Sequence, residues 1–530
     1  MWGGWFKSHS AGRRHQRVLL HLLLLLSVMP FLMNPIPGTE NATTRYEQNV
    51  SDLLLEHGYA ANIIAVQGTR GLRASQRSYT NSLWTRDLDY AISGYAYPLS
   101  DMSVFRDNIT TFLTLTDAEG VVPETIYLDR GLVENRASWD SMPNLIHAVY
   151  VYVAKTGDQA FYQEHRATLE RIGMWIVRLD SDGDGLPDRD IFPFGYYDSV
   201  RNSVMHTYAL AKFYSAFREL AALETFVGQD GTIWQERAAR LREAFHRPTT
   251  QGGYWLDDQV WPIAWRSADG QIVSILETFG VFEALRSGLI APDDGPRYGP
   301  LVVELARLLP TLLDGPTPMK LTLGGYPPEV RREVDPPVPL WMLDASAPWI
   351  VGIAAPAYTN AGCPDAADRT MRAYTAMARA TYPPVVEFAA GPDARYGAGN
   401  SADGGRAWDS AAWFMAIYGG HYGLTMTPEA LLIRPRPYRA LQDDGISNFT
   451  YQGTQVQLRL DMLAEEYYVQ ADKSARVVLY PMNSGSLLQV NNGPALPKAT
   501  LTLTPDREYR IRNVTSVHSP VRFPTRFTAR

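Results

Sequence analysis

Leu210-Ala211-Lys212-Phe213-Tyr214-Ser215-Ala216-Phe217-Arg218-Glu219-Leu220-Ala221 is the stretch on which the reading of the fold turns. Its apolar residues Leu210, Phe213, Tyr214, Phe217, Leu220 and Ala221 recur at steps of three and four, the period of one helix face. The same texture extends outward from about Arg45 to Thr427. Further helical stretches are expected near Ser51–Gly58, Ser103–Thr116, Met142–Lys155, Gln159–Leu179, Trp234–His246, Ser274–Ser287, Tyr298–Leu309, Ala366–Thr381 and Ser410–Tyr418, separated by loops rich in Gly, Pro and Asp. About a dozen helices in one run are too many for a single bundle. After Leu431 the period drops to two, in Gln455-Val456-Gln457-Leu458-Arg459-Leu460, Ala475-Arg476-Val477-Val478-Leu479-Tyr480 and Thr500-Leu501-Thr502-Leu503-Thr504. The expected fold class is therefore mostly α, with a helical domain over residues 39–435 and a β-sandwich-like domain over 436–530.

Composition narrows the function. The 530 residues are 45% hydrophobic, enough to bury a core without a partner. With 49 basic against 56 acidic residues and a net charge of −7, no positive excess is available to neutralise a phosphate backbone, and nucleic acid is excluded as a ligand class. A single cysteine, Cys363, forms no internal disulfide, and no Cys/His spacing suits structural zinc. The 13 Trp and 29 Tyr suit a surface that stacks on sugar rings, and equally an ordinary core. Residues 1–38 read as a targeting segment. Lys7, Arg13, Arg14 and Arg17 precede the apolar run Val18–Met33, which Asn34-Pro35 breaks. A cleaved signal peptide and an uncleaved membrane anchor both stay open; either implies an exported chain, secreted or anchored on the extracytoplasmic side.

Three regions set acids beside aromatics at the head of helical runs. The first is Trp84-Thr85-Arg86-Asp87-Leu88-Asp89-Tyr90, either a capped helix start or a sugar clamp in which Arg86 and Asp87 bond vicinal hydroxyls and Trp84 offers a flat face. The second, Asp180-Ser181-Asp182-Gly183-Asp184-Gly185-Leu186-Pro187-Asp188, opens like a calcium loop. Ile191 stands where an EF-hand needs a bidentate Glu, so a full EF-hand is rejected. What remains is a polar turn or a calcium site through Asp180, Asp182, Asp184 and Asp188. Phe194-Gly195-Tyr196-Tyr197-Asp198-Ser199-Val200-Arg201 follows, where Asp198 is either a helix cap or a carboxyl desolvated by its aromatic neighbours. The third region holds Glu387 among Val385, Val386 and Phe388, then Arg406-Ala407-Trp408-Asp409-Ser410 opening a last helix.

Together these regions resemble the six-hairpin (α/α)6-barrel glycosidases over most of Thr43–Pro435. Trp84-Thr85-Arg86-Asp87 is similar to the glucoamylase segment whose Arg and Asp bind the terminal sugar. Tyr197-Asp198-Ser199 is similar to the glucoamylase acid region and to the Asp-x-Asp-x-Asp-Gly-Leu segment of bile-acid β-glucosidase relatives, with Tyr196 where Thr is usual. Glu387 and the later Trp408-x-Ser410 resemble the base region of glucoamylases, processing α-glucosidase I and trehalase. The resemblance implies an (α/α)6 toroid and an inverting hydrolase of oligosaccharides or glycosides, with Asp198 as general acid, Glu387 as general base and no required cofactor. It also implies sugar contacts at Trp84, Arg86, Asp87, Tyr197 and Trp408, with Trp139 and Asp140 added from debranching-enzyme and rhamnosidase relatives. The loops ahead of the inner helices would bring Asp87, Asp198 and Glu387 to one mouth. The chain departs from glucoamylases at Ser199, where they carry a second acid, in Phe388, and in lacking starch-binding modules, so starch is not implied. The alternatives are a disaccharide phosphorylase on the same barrel and a carbohydrate-binding pseudoenzyme.

Overall fold

The computed structural model describes residues 45–76, 79–134, 138–188, 205–266, 270–314, 318–330, 344–380, 405–438, 444–483 and 485–514. Among these, the helical part contains α1 (Arg45–Leu54), α2 (Thr85–Tyr95), α3 (Ser103–Leu115), α4 (Ser141–Thr156), α5 (Gln159–Val177) and α6 (Thr207–Phe226), then α7 (Thr232–Phe245), α8 (Thr278–Ser287), α9 (Gly295–Leu312), α10 (Val351–Asn360), α11 (Pro364–Ala380) and α12 (Ala407–Phe414). The two halves of this set differ in chemistry. Outer helices carry one apolar stripe: α7 buries Trp234, Ala238, Leu241, Ala244 and Phe245 and leaves its charged residues on the other face. The even-numbered helices are buried nearly all round, as in α4, where Ser141 to Ile146 are all buried. A helix without a polar face belongs inside, and these six form a ring. Each packs on the next from α2 to α12, and α12 closes back on α2.

Closure depends on small residues at the seam. A Cβ on Gly94 of α2 would collide with the Ala411 carbonyl of α12, and one on Gly352 of α10 would lie 2.8 Å from the Ala412 Cα. The two glycines let α12 nest at backbone distance between its neighbours. The expected (α/α)6 toroid is therefore the observed fold. Helix α10 escaped the sequence reading because Val351-Gly352-Ile353-Ala354-Ala355 has no polar face and hence no period to detect.

The inner helices share a polarity that short strands impose. Among the described residues, β1 (Ile63–Val66) and β2 (Thr69–Leu72) form a hairpin; β3 (Ser82–Trp84) pairs with β4 (Thr125–Tyr127), and β4 with β5 (Leu132–Glu134). Likewise β6 (Met205–His206) pairs with β7 (Trp265–Arg266), and β7 with β8 (Ile272–Val273). Each of these strands ahead of an inner helix meets the chain returning from the following outer helix. At the junction a threonine repeats: the hydroxyls of Thr85, Thr207 and Thr278 donate to the carbonyls of Pro123 (2.7 Å), Ile263 (2.6 Å) and Lys320 (2.6 Å). Their amides donate to Glu124, Ala264 and Leu321. Three inner-helix N-termini are thus pinned in the same way to one rim.

The C-terminal region holds two sheets. One runs in the order β17 (Ala499–Leu503), β14 (Ala475–Leu479), β10 (Leu431–Ile433), β9 (Leu424–Met426). The other runs β11 (Gly445–Tyr451), β12 (Thr454–Asp461), β13 (Glu466–Ala471), β18 (Tyr509–Val514), β15 (Leu487–Val490), β16 (Ala495–Leu496). Strand β12 alternates buried and more open residues, the period-two signature of a sheet with one wet face. Two strands, β9 and β10, precede residue 436. The apolar run Val18–Met33 lies outside the described residues; among those described, no helix is long and apolar enough to cross a membrane.

Lys155 joins the helices to the sheets. It stands at the end of α4, 2% exposed, and its Nζ donates to the Thr450 carbonyl while lying 4.9 Å from the centre of the Phe449 ring. Desolvation pulls its pKa down from 10.5 to about 7. Between those values the unfolded chain holds a proton that the folded chain lacks, so this residue's contribution to stability rises with pH across the window. Below about 7 both states hold it and the cost is fully present. Lys155→Met should therefore be more stable than wild type by roughly 2 kcal/mol at pH 6, the gain shrinking toward pH 10. Paired melting curves across that range check this, and a gain independent of pH would refute it.

Candidate functional site

The first residues of the inner helices surround one mouth. Trp84, Asp140, His206, Glu277 and Arg406 are the residues immediately ahead of α2, α4, α6, α8 and α12. Helix N-termini turn unpaired amides and positive partial charge toward this space, an environment suited to carboxylates. Glu277 uses it directly, accepting from the Gly280 amide at 2.8 Å.

Two crossed ion pairs build the centre of the mouth. Arg86 Nε donates to Asp140 Oδ2 at 2.6 Å, and Asp140 also accepts from the Ser138 hydroxyl. Arg406 Nη2 lies 3.5 Å from Asp87 Oδ1, and Arg406 Nε lies 3.7 Å from Asp409 Oδ2. The first pair ties α2 to the entrance of α4, the second ties it to the entrance of α12. The Arg406 guanidinium also lies over the Tyr79 ring at 5.2 Å, and Trp84 meets that ring edge-on at 5.3 Å. Burial raises the Asp87 carboxyl above its ordinary pKa, against the lowering by Arg406 and Arg86.

A continuous aromatic wall underlies these pairs. Trp408 stacks on Trp349 at 4.3 Å and packs on Tyr90 at 5.5 Å; Trp349 meets Phe279 edge-on, and Phe279 stacks on Tyr208 at 4.6 Å. Tyr208 leads to Trp139, which stacks on His206, and His206 stacks on Trp265 at 4.8 Å. His206 is fully buried in that sandwich, and desolvation lowers its pKa to about 3, so it stays neutral. All of these rings are buried, so the wall is the packed floor on which the ion pairs rest, and Trp84 is the partly exposed ring beside them.

The structure brings Trp84, Arg86, Asp87, Trp139, Asp140 and Trp408 to this mouth. Tyr197, Asp198 and Glu387 lie outside the described residues. In sequence they belong to segments 189–204 and 381–404, which run into β6 with α6 and into α12. Sequence reasoning missed Arg406, His206, Glu277 and Trp349 as site residues. One signal was available for two of them: Trp84-Thr85, His206-Thr207 and Glu277-Thr278 repeat one residue plus threonine at successive inner-helix starts.

The aspartate turn stands before the segment that carries Asp198. Carboxylate oxygens of Asp180, Asp182 and Asp184 lie within 4.8 Å of one another, and Asp180 Oδ1 is buried without a hydrogen-bond partner among the described residues. Asp188 faces elsewhere: its Oδ2 accepts from the Ser181 amide (3.2 Å), the Ser181 hydroxyl (2.5 Å) and the Asp182 amide (3.1 Å). Three carboxylates this close, one of them with a buried unsatisfied oxygen, suit a hard cation such as calcium, with Asp188 bracing the turn. If calcium binds, EDTA should lower the melting temperature and added calcium restore it. An unchanged melting curve would mean a plain turn.

No family model matches the chain, and no curated protein matches it. Solved structures do. An α-L-rhamnosidase of Dictyoglumus thermophilum matches with a TM-score of 0.56 at 10% identity, covering 88% of this chain and 49% of its own. A GH78 family rhamnosidase of Bacillus sp. GL1 matches at 0.54 and 15% identity, covering 79% and 40%. The α-L-rhamnosidase of Streptomyces avermitilis, solved with L-rhamnose, matches at 0.52 and 14%, covering 87% and 41%. This chain spans about two-fifths to one half of the length of these enzymes, and at such identities the likeness concerns the (α/α)6 toroid with its sheets.

Proposed function

We propose that the protein is an exported glycoside hydrolase that binds the terminal sugar of an oligosaccharide or glycoside at the mouth of the toroid. The observation that carries the reading is the pair of crossed contacts, Arg86 to Asp140 and Asp87 to Arg406, with the Arg406 guanidinium 5.9 Å from the centre of the Trp408 ring. Planar guanidinium and carboxylate groups bond adjacent hydroxyls, and the partly exposed Trp84 ring offers a flat face to the sugar.

Two further carboxyls supply the chemistry. Asp198 protonates the leaving oxygen, and Glu387 takes a proton from the water that attacks the anomeric carbon from the opposite face, which inverts its configuration. Their segments run in sequence into two helices whose N-termini stand at this mouth, and that supports the assignment. Hydrolysis is favoured over phosphorolysis because Arg86 and Arg406 each already face a carboxylate, which would repel a phosphate. No cofactor enters these steps; calcium, if bound at the Asp turn, braces the approach to Asp198.

Glu387→Gln should lower turnover by the 10²–10⁴-fold typical of a lost general base, with melting temperature unchanged. Asp198→Asn should impair glycosides with poor leaving groups far more than activated aryl glycosides, because only the former need protonation. Product anomers followed by NMR report inversion directly. Equal losses on both substrate types would remove Asp198 as the acid, and unaltered kinetics of Glu387→Gln would remove the site.

Asp87→Asn tests the clamp separately. It should lower kcat/KM by well over tenfold, since a buried sugar hydroxyl and Arg406 lose a charged partner. Normal kinetics with a large stability loss would instead make Trp84–Asp87 only a helix start.

A further inference from the structure

Below the mouth the inner helices carry a second polar cluster that the proposed reaction leaves unused. Asp89, one turn beyond Arg86 on α2, accepts from Lys212 Nζ of α6 and lies 3.5 Å from His147 Nε2 of α4. His147 Nδ1 is 2.6 Å from Glu219 Oε1, and Ser93 Oγ is 3.0 Å from Nε2. On α8, Glu283 accepts from Arg286 Nε at 2.8 Å and from the Tyr90 hydroxyl, and Arg286 Nη1 reaches to 3.5 Å from His147 Nε2. Asp89, Lys212, Glu219 and Glu283 are all buried. Burial pushes the Glu219 and Glu283 carboxyls up, but His147 beside the first, and Arg286 with Lys212 beside the second, outweigh it and hold both below the usual range.

The cluster reaches the sugar site through one residue. The Tyr90 ring has Lys212 Nζ at 4.8 Å and the Arg286 guanidinium at 5.7 Å from its centre, its hydroxyl is held by Glu283, and its ring packs on Trp408. Tyr90 also stands one turn from Arg86 and Asp87 on α2. Buried ion pairs are a poor way to gain stability, since apolar side chains of similar volume often serve as well. What they add is direction. Apolar packing between helices tolerates small slips, whereas a hydrogen-bonded pair fixes distance and angle, and a binding constellation needs positions held to about 0.5 Å.

We propose that the Lys212–Asp89 pair is a positioning element for the sugar clamp: by tying α6 to α2 and seating Tyr90, it sets Arg86, Asp87 and Trp408 relative to one another. This inference rests on the glycosidase reading above.

The test removes the pair as a unit. Lys212→Met alone would strand a buried carboxylate, so the variant is Lys212→Met/Asp89→Leu, which leaves apolar groups facing each other. Its melting temperature should stay near that of wild type, while kcat/KM on an aryl glycoside turned over by wild type falls at least tenfold, chiefly in kcat. Glu466→Gln is the control. It disrupts a pair with Arg510 and Arg512 in the β sheets and should cost stability without changing kcat/KM. Lys212→Arg keeps the charge in a longer arm and should show a smaller loss in the same direction, which settles the matter if the double variant does not fold. Wild-type kinetics in a folded double variant, or in Lys212→Arg when the double variant does not fold, would overturn the proposal. A readout independent of turnover is the circular-dichroism exciton signal of the stacked Trp349 and Trp408, identified as the part of the spectrum lost in Trp408→Phe. It should weaken in the pair deletion. If wild type cleaves no glycoside, the functional reading fails, and this signal alone decides the positioning role: an unchanged couplet overturns it.

Discussion

Everything in this structure depends on the approach of α12 to α2. A ring of six helices has one contact that successive elements do not supply, the one between the last element and the first, and here it must form across more than three hundred residues of intervening chain. Side chains of ordinary size would hold the two helices 8–10 Å apart. Gly94 removes the side chain at the crossing, and Ala411 presents its carbonyl into the vacated space. Closure then decides chemistry as well as architecture, because α2 carries Arg86 and Asp87 while the entrance of α12 carries Arg406, Trp408 and Asp409. Their pairing exists only in a closed ring.

Closure also sets the electrostatic balance of the mouth. Six helix starts facing one space favour negative charge, which would keep carboxyls ionised. Burial works the other way, and at Asp87 burial prevails, since its pKa is raised despite two neighbouring arginines. The same rim can therefore hold some carboxyls as anions and others closer to protonation, according to how deeply each is sealed. Division of that kind is what acid–base cleavage of a glycosidic bond requires.

The parts of this arrangement that sequence could reveal are those with a period or a local pattern. Helix α6 was legible through its apolar face and the β region through its alternation. Helix α10 was not, because a helix buried on all sides shows no contrast along its sequence. The strands β3, β6 and β7 were invisible for a different reason: two or three residues cannot display a period of two. At the site, Trp84, Arg86 and Asp87 were legible because they are adjacent in sequence. The pairing of Arg86 with Asp140 was not, since nothing in either local pattern says that residues 54 positions apart will meet. Arg406 was read as part of a motif, but its carboxylate partner on α2 is a product of ring closure alone.

The β region completes the directionality of the barrel. Its contacts fall at the C-terminal ends of the inner helices: Lys155 at the end of α4 bonds to Thr450, Tyr97 just beyond α2 donates to the Leu424 carbonyl at 3.0 Å, and Tyr97 also packs on Phe449. The sheets therefore sit against the helix ends that point away from the mouth. Both donors serve strand carbonyls, Thr450 of β11 and Leu424 of β9, and so tie the sheets to that end. One end of the barrel is thus occupied by strands, and the aromatic wall and the ion pairs beneath it fill the axis. The threonine pins that align the inner helices thus fix which of their ends meets the sheets and which carries the Arg86 and Arg406 ion pairs.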